Sequence, residues 1–174
     1  MTDPTSAAGE TEGALLVDPD WTASEERPEP PLEAMAGVWA VRPGQALSRF
    51  LPNPCYRPLN PETPLDPVEV VLRDLARGEP ADAALRSALR NAWLGVAVDD
   101  RQVALVSRAP DGEPVVLVAT AHGHRARLGV PAWLDVTVEQ LAAALPADGV
   151  DVLLNPGSPA SMRVRADVVR EIAG

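Results

Sequence analysis

The sequence predicts one α+β domain in which an antiparallel or mixed sheet is flanked by helices, with an irregular, proline-rich N-terminal arm. Three observations favour this class. Twelve of the nineteen prolines lie within residues 1–67, so the first part of the chain is expected to be extended and irregular. Beyond residue 66, apolar residues recur at helical spacing in several windows. Short apolar runs lie between these windows and are separated by brief polar turns, which is typical of antiparallel strands.

The start of the chain is acidic. Residues 1–13 are small and polar without a hydrophobic period, and we expect a disordered tail there. Nine acidic residues and one arginine fall within residues 1–33, which accounts for most of the formal net charge of −10. Such a tail is either simply solvated or a docking arm for a basic partner, and the sequence leaves both interpretations open.

Residues 14–66 are predicted to form the arm and a β-hairpin region, which pack on the rest of the domain, residues 67–174. We expect the arm itself, about residues 14–34, to lie across the sheet. The hairpin is predicted from an apolar strand at 37–41, a Pro-Gly turn at 42–45 that suits type II geometry, and a returning strand at 46–51. An ordered loop is expected to follow at 53–58.

Helical signals begin at Asp66, a favourable N-cap residue that is followed by Pro67 at the first helical position. Apolar residues then recur at helical spacing until Gly78, and the same spacing predicts a second helix around residues 85–92. Three apolar runs follow. Their connections are too short for a parallel crossover, so we expect an antiparallel meander of strands at 93–98, 103–106 and 114–119.

The last part of the chain contains a second capping signal. Thr137 is predicted to cap a third helix, with Gln140 placed to complete a capping box. A buried strand at 150–154 and a tight turn at 155–157 are predicted to follow. The chain is then predicted to form a last strand at 162–164 and a closing helix at 167–173.

Composition excludes several classes of function. All fifteen cationic residues are arginines and the chain is strongly acidic, so we expect no nucleic-acid binding and no binding to anionic membranes. A single cysteine excludes an intramolecular disulfide and fits a reducing compartment. No apolar run approaches the ~20 residues that cross a bilayer, and the first residues lack the order of a signal peptide. We therefore expect a cytoplasmic protein without membrane insertion.

Residues for catalysis or metal binding are few. Cys55 is the only thiol and lies near prolines without a helix N-terminus to activate it, so a Cys/His nucleophilic pair is disfavoured. His122 and His124 are the only imidazoles; residues 121–125 are predicted to be an exposed loop, with no carboxylate at ligand spacing beside them. Because the chain has no lysine, it cannot form a Walker A loop. We predict no metal, no cofactor and no enzymatic activity.

A polar and aromatic set in the irregular region offers candidate interface residues: Trp21, Trp39, Asn53, Tyr56 and Arg57. Trp, Tyr and Arg commonly anchor protein interfaces, and prolines on both sides fix the loop that presents Tyr56 and Arg57. Two structural alternatives remain open. The tryptophans would fasten the arm to the sheet, and Arg57 would pair with a carboxylate of its own chain.

The same residues also carry a resemblance. The segments Leu16-Val17-Asp18-Pro19 with Trp21, Gly37-Val38-Trp39, Asn53-Pro54 with Tyr56-Arg57-Pro58, and Asp66-Pro67 occur in an order that is similar to the type VII secretion system-associated proteins of actinobacteria. From about residue 67 to 174 the chain resembles the SseB N-terminal domain, mainly through a strand that ends in Asn155-Pro156-Gly157. Together the two resemblances cover all but the first dozen or so residues.

The resemblance implies a non-enzymatic accessory protein, an adaptor or a chaperone, that binds substrates or machinery of a type VII secretion system. It carries over no catalytic residues. The alternative is a small-ligand-binding or regulatory SseB-like domain that uses the sheet end near Asn155 and Gly157. The oligomeric state is not predicted.

Overall fold

The computed structural model describes residues 12–41, 49–147 and 149–174 of the 174-residue chain. These ranges confirm the α+β class. The strands are β1 (Glu12–Val17), β2 (Met35–Val41), β3 (Leu51–Pro52), β4 (Leu94–Val98), β5 (Val106–Arg108), β6 (Pro114–Ala119), β7 (Ala132–Val136), β8 (Asp151–Leu154) and β9 (Met162–Val164). The helices are α1 (Pro67–Ala76), α2 (Asp82–Arg90), α3 (His122–Arg125), α4 (Val138–Ala144) and α5 (Ala166–Ala173), with a short 3-10 helix at Leu32–Ala34.

Within the described residues the larger sheet has the strand order β7-β4-β6-β8-β9, and β5 pairs with the first half of β6. All of these pairs are antiparallel except β6 and β8, which run parallel from Val115 opposite Asp151 to Val118 opposite Leu154. The sheet is therefore mixed. Because parallel strands end at the same edge, the residues that follow β6 and β8 meet there.

One face of the larger sheet is covered by helices. Alternate strand residues such as Val96 and Val118 share a buried apolar cluster with Leu72 of α1, Leu89 of α2 and Ile172 of α5. The period of two in the strands and of about 3.6 in the helices brings these side chains to one interface. Burial of this apolar surface is the main term that stabilises the domain.

The predicted helix ends are confirmed. The Asp66 side chain accepts hydrogen bonds from the backbone N–H groups of Val68 and Glu69, with Pro67 in the first turn. Thr137 and Gln140 form the predicted capping box at the start of α4. Gly78 has a φ of +81°, a conformation that glycine adopts without strain, and it lies just beyond α1.

A smaller sheet of β1, β2 and β3 docks on the main domain, and the first part of the predicted arm is a strand of this smaller sheet. Its attachment runs through Phe50, whose backbone N–H donates to the carbonyl of Asn91 at 2.6 Å and which bridges to Ala92. Gly37 of β2 lies beneath Phe50. A Cβ atom at Gly37 would come within 2.3 Å of the Phe50 ring and 2.5 Å of the Leu51 carbonyl oxygen.

The described residues correct several predictions around the N-terminal region. Glu12 and Gly13 were predicted to belong to the tail, but they lie in β1, because this end of the chain pairs with β2. The rest of the predicted tail, residues 1–11, lies outside the described residues. The predicted type II turn and the first half of the returning strand, within residues 42–48, also lie outside them. The part that is described, β3, does pair antiparallel with β2 as expected.

Two strand predictions are wrong. The strand expected at 103–106 is found at Val106–Arg108, because residues 103–105 pair only with the end of β4 and leave Val103 59% exposed. The simple meander is also wrong, since β4 pairs directly with β6. Strand β7 is not predicted by the sequence analysis. Its partly exposed residues show only a weak alternation of apolar and polar side chains, and Asp135 interrupts the apolar run.

None of the helices in the described ranges is long and apolar enough to cross a membrane.

Candidate functional site

Three buried side chains meet at the edge of the larger sheet where β6 and β8 end. Asp66 and Glu69 are 2% and 1% exposed, and His124 is fully buried. The two carboxylates share a face at the start of α1, because Asp66 is its N-cap residue and Glu69 lies three residues later. His124 arrives from α3, the short helix directly after β6. One ligand-type atom from each residue lies within 4.8 Å of the others. We call these three residues the acid–histidine cluster.

Asp66 is held in place by hydrogen bonds to both carboxylate oxygens. Its Oδ1 accepts the capping hydrogen bonds of α1, and its Oδ2 accepts a hydrogen bond of 2.6 Å from the hydroxyl of Thr120. That hydroxyl in turn accepts a hydrogen bond of 2.9 Å from the side-chain amide of Asn155. The network therefore joins the start of α1 to the ends of β6 and β8.

Glu69 is held through both of its carboxylate oxygens. Its Oε2 accepts a hydrogen bond of 2.8 Å from the backbone N–H of Leu65, and its Oε1 forms a 2.8 Å ion pair with the guanidinium of Arg73. Burial by itself would raise the pKa of Glu69. The facing imidazole of His124, the Leu65 N–H and Arg73 outweigh that effect and lower the pKa, so Glu69 is a carboxylate at neutral pH.

His124 faces both carboxylates without a well-formed hydrogen bond to either. Its Nε2 lies 3.2 Å from Glu69 Oε2 and 3.6 Å from Asp66 Oδ2. The second distance is too long for a hydrogen bond and the first contact is misdirected, so Nε2 has no hydrogen-bond partner among the described residues. Burial lowers the pKa of His124, but the two carboxylates more than offset it, and the net direction is upward.

These contacts correct the interpretation of residues 121–125. The prediction of an exposed loop is wrong, because the segment forms α3 and buries His124. The expectation that no carboxylate lies beside the histidines is also wrong, because Asp66 and Glu69 approach His124 from a distant part of the chain. His122 stays half-buried outside the cluster, and burial, followed by the charge of Arg125, lowers its pKa.

An apolar groove of about 500 Å³ opens beside the cluster. Helices α1 and α2 form one side, and the aromatic rings of Trp39 and Phe50, 4.7 Å apart between centroids, form the other. We call it the α1–α2 groove. Its lining residues are Trp39, Phe50, Asp66, Pro67, Val68, Val71, Ala84, Ser87, Ala88, Asn91, Ala92 and Thr120. Because Asp66 and Thr120 are among them, the groove reaches the buried polar network.

The predicted interface residues have mixed outcomes. Tyr56 is only 7% exposed and its hydroxyl donates to Asp18, which argues against a role as an exposed anchor. Asn53 donates from its side-chain amide to the carbonyls of Leu32 and Met35, at 2.7 and 2.8 Å, and thereby fixes the loop. Arg57 is exposed and donates to the carbonyl oxygens of its own loop.

The two tryptophans are both half-buried, but the structure places them differently. Trp39 lies in the wall of the α1–α2 groove, whereas Trp21 lies after β1 in the turn that begins at Asp18. Of the predicted interface set, Trp39 alone lines this groove.

The alternative ligand site near the end of β8 is also altered by the structure. Asn155 is fully buried, and its side-chain oxygen accepts a hydrogen bond of 2.9 Å from the backbone N–H of Thr120. Its side chain is therefore committed to the fold and is not free to receive a ligand. Gly157 is exposed with a φ of +75° and serves the turn after β8.

Sequence reasoning missed the acid–histidine cluster for a physical reason. The pair Asp66 and Glu69 carries a local signal, since acidic residues at the N-cap and three positions later commonly share one helix face. By itself that signal indicates helix capping. Only the parallel pairing of β6 and β8 and the turn into α3 bring His124 to the pair.

The fold and the site define an α+β protein with a buried acid–histidine cluster next to an apolar groove. Comparison with family models, curated proteins and solved structures found no match to the chain.

Proposed function

We propose that this chain is a non-enzymatic accessory protein that binds another protein in the α1–α2 groove. The observation that supports this most directly is the groove itself, which is about 500 Å³, open, and lined mainly by apolar side chains. Its volume falls within the range of ordinary binding sites, roughly 300–1,000 Å³. An apolar side chain of a partner would bury the most apolar surface by entering between the aromatic wall and the two helices.

The composition of the groove favours a partner segment with one or two apolar anchors. Trp39 and Phe50 offer large apolar area, and tryptophan is enriched among residues that dominate binding energy. Ser87 and Asn91 supply polar groups at the same site. The net charge of −10 favours a partner with basic residues around the anchor, because opposite charge accelerates encounter.

The closed state of the acid–histidine cluster supports a function other than catalysis. The side chains of Asp66, Glu69 and His124 are at most 1% exposed, so an organic substrate cannot contact the three side chains together in this conformation. A general acid or base must come within hydrogen-bond reach of the group that it protonates or deprotonates.

Association with a type VII secretion system is part of the proposal and rests on the sequence motifs. The residues that carry the resemblance have clear structural roles: Asp18 binds Tyr56, Gly37 accommodates Phe50, and Asp66 caps α1. Of these residues, Gly37 makes room for Phe50, through which the small sheet attaches and builds one wall of the groove. We propose that the partner is a substrate or a machinery protein of that system and that binding occurs in the cytoplasm.

The groove can be tested with two neighbouring alanines of α2. Ala84 lines the groove, whereas Ala83 is exposed on the same helix outside it. Both tolerate arginine, a good helix former, at an exposed position. In pulldowns from an actinobacterial host that carries such a system, the wild-type chain and Ala83→Arg should recover secretion-system proteins, and Ala84→Arg should not. Equal recovery by both variants would place the binding surface elsewhere.

A second candidate function is the binding of a small ligand in the same groove, favoured by Asp66 and Thr120 in its lining. A metabolite panel in a thermal-shift assay distinguishes the two. A ligand that stabilises the wild-type chain and Ala83→Arg but not Ala84→Arg, together with a pulldown that recovers no secretion-system proteins, supports the small-ligand function.

A further inference from the structure

We propose that Asp66, Glu69 and His124 bind a divalent first-row transition metal ion. This inference is independent of partner binding in the groove. It rests on the fully buried imidazole whose Nε2 faces two carboxylate oxygens and has no hydrogen-bond partner among the described residues.

The two distances from His124 Nε2 to the carboxylate oxygens suit a shared ion. Metal–ligand bonds of about 2.0–2.2 Å in a tetrahedral site place neighbouring ligand atoms about 3.3–3.6 Å apart. His124 Nε2 lies 3.2 Å from Glu69 Oε2 and 3.6 Å from Asp66 Oδ2. An imidazolium would instead be expected to direct its N–H at one oxygen. Two contacts of similar length, neither of them a hydrogen bond, indicate a position for a metal ion between the three atoms.

The two facing oxygens are already oriented by the surrounding structure. Thr120 donates to Asp66 Oδ2 and the Leu65 N–H donates to Glu69 Oε2. Each of these carboxylate oxygens therefore keeps a lone pair for a metal. Hydrogen bonds of this kind orient metal ligands and are a regular feature of metal sites.

Charge also favours a cation at this position. The cluster contains two carboxylates, and Arg73 contacts one of them, Glu69. With a neutral imidazole, one negative charge stays uncompensated in a buried environment, which is costly. A divalent ion compensates that negative charge with one positive charge in excess. One imidazole with two carboxylates is a ligand set that suits zinc and similar ions.

The α1–α2 groove offers a route to the site. Asp66 and Thr120 line both the groove and the polar network, so an ion can approach from that side. Three protein ligands leave a fourth position for water or another small ligand, as in zinc sites that are not closed by protein alone.

The first test uses the intact wild-type chain after treatment with a chelator. Zn²⁺ is titrated by calorimetry, and the Tm is followed with Zn²⁺ and, separately, with Mg²⁺. We expect one Zn²⁺ per chain and a rise in Tm of about 5–10 °C when free Zn²⁺ is about 100 times Kd. Mg²⁺ should leave the Tm unchanged, because it binds imidazole poorly. Absence of a Zn²⁺-induced shift overturns the proposal and leaves a proton on His124 as the balancing charge.

Matched variants locate the site. His124→Gln should lose the Zn²⁺-induced shift. His122→Gln, in the same helical turn but outside the cluster, and Cys55→Ser should keep it. Retention of the shift by His124→Gln, or its loss in His122→Gln or Cys55→Ser, contradicts the assignment.

A second measurement needs no variant that might misfold. The chain has two histidines, so their imidazole proton resonances can be followed separately during titration with Co²⁺. Binding in the cluster should broaden or shift the resonances of one histidine strongly and those of the other weakly. If neither histidine responds, or both respond equally, the proposal fails.

Discussion

The hydroxyl of Tyr56 donates a hydrogen bond of 2.9 Å to Oδ2 of Asp18, and both side chains are buried. The same carboxylate oxygen accepts the backbone N–H of Leu59 at 3.0 Å, while Oδ1 accepts that of Asp20 at 2.9 Å. A single carboxylate thus joins the end of β1 to the loop that follows β3. The Tyr56 side chain shares a buried cluster with Ala36 of β2, Leu65 and Ala121, so the loop packs against both the small sheet and the segment after β6.

Removing the Tyr56 hydroxyl should destabilise the chain. Tyr56→Phe leaves the ring in place but withdraws a hydrogen bond from a buried carboxylate, at a cost of about 1.5–3 kcal/mol. Urea unfolding followed by circular dichroism measures the change in the free energy of unfolding. Arg57→Ala, at the exposed neighbouring position, should change it by less than about 0.5 kcal/mol. Equal stability of Tyr56→Phe and wild type would show that the contact contributes nothing.

The same contact predicts a loss of stability in alkali. Burial, the hydrogen bond to Asp18 and the charge of Asp18 raise the pKa of Tyr56 above its ordinary value of about 10. Above pH ~10 the unfolded chain loses the tyrosine proton while the folded chain keeps it, so stability falls as pH rises. The chain has one tyrosine and no lysine, so few other groups titrate in this range.

This alkaline effect can be measured in a Cys55→Ser background, which removes the thiol titration. Ultraviolet absorbance of the phenolate should show that Tyr56 keeps its proton above its ordinary pKa as long as the chain is folded. The phenolate should appear as the chain unfolds. In Tyr56→Phe the free energy of unfolding should change little between pH 9 and pH 11. An ordinary pKa for Tyr56 in the folded chain would contradict this prediction.

Asn155 should respond differently to alanine and glycine. Its φ is +48°, and its side chain exchanges two hydrogen bonds with Thr120. Both substitutions remove these hydrogen bonds, but glycine accepts the backbone conformation and alanine does not. We expect Asn155→Ala to be less stable than Asn155→Gly by about 1 kcal/mol in urea unfolding. If alanine proves as stable as glycine, the positive φ carries no cost.

Gly37 should not tolerate a side chain. The Cβ atom of Gly37→Ala would press on the ring of Phe50 and on the Leu51 carbonyl oxygen, and the backbone oxygen cannot move aside cheaply. A loss of about 1–3 kcal/mol in the free energy of unfolding is expected. Gly129 serves as the control, since nothing lies within 4 Å of its Cβ position and its φ is not positive. Gly129→Ala should be close to neutral.

The sequence predicts those parts of the molecule whose physics is local. The cap at Asp66 and the capping box of Thr137 and Gln140 depend on atoms within three residues, and both are found. Strand β6 is predicted at the bounds that the structure has, because its apolar run is framed by polar turns. Strand β7 escapes prediction because its partly exposed residues carry little hydrophobic pattern of their own.

What the sequence by itself determined is therefore the α+β class, helices α1, α2, α4 and α5 with the caps of α1 and α4, and most of the strands that the structure describes. Tertiary structure alone decided which distant polar groups share the interior. Tyr56, an interface candidate by residue type, lies against Asp18, and His124, predicted to be in an exposed loop, lies between Asp66 and Glu69. The reason is physical. A helix cap depends on its nearest neighbours, whereas a buried polar contact depends on strand pairing that brings separate segments together.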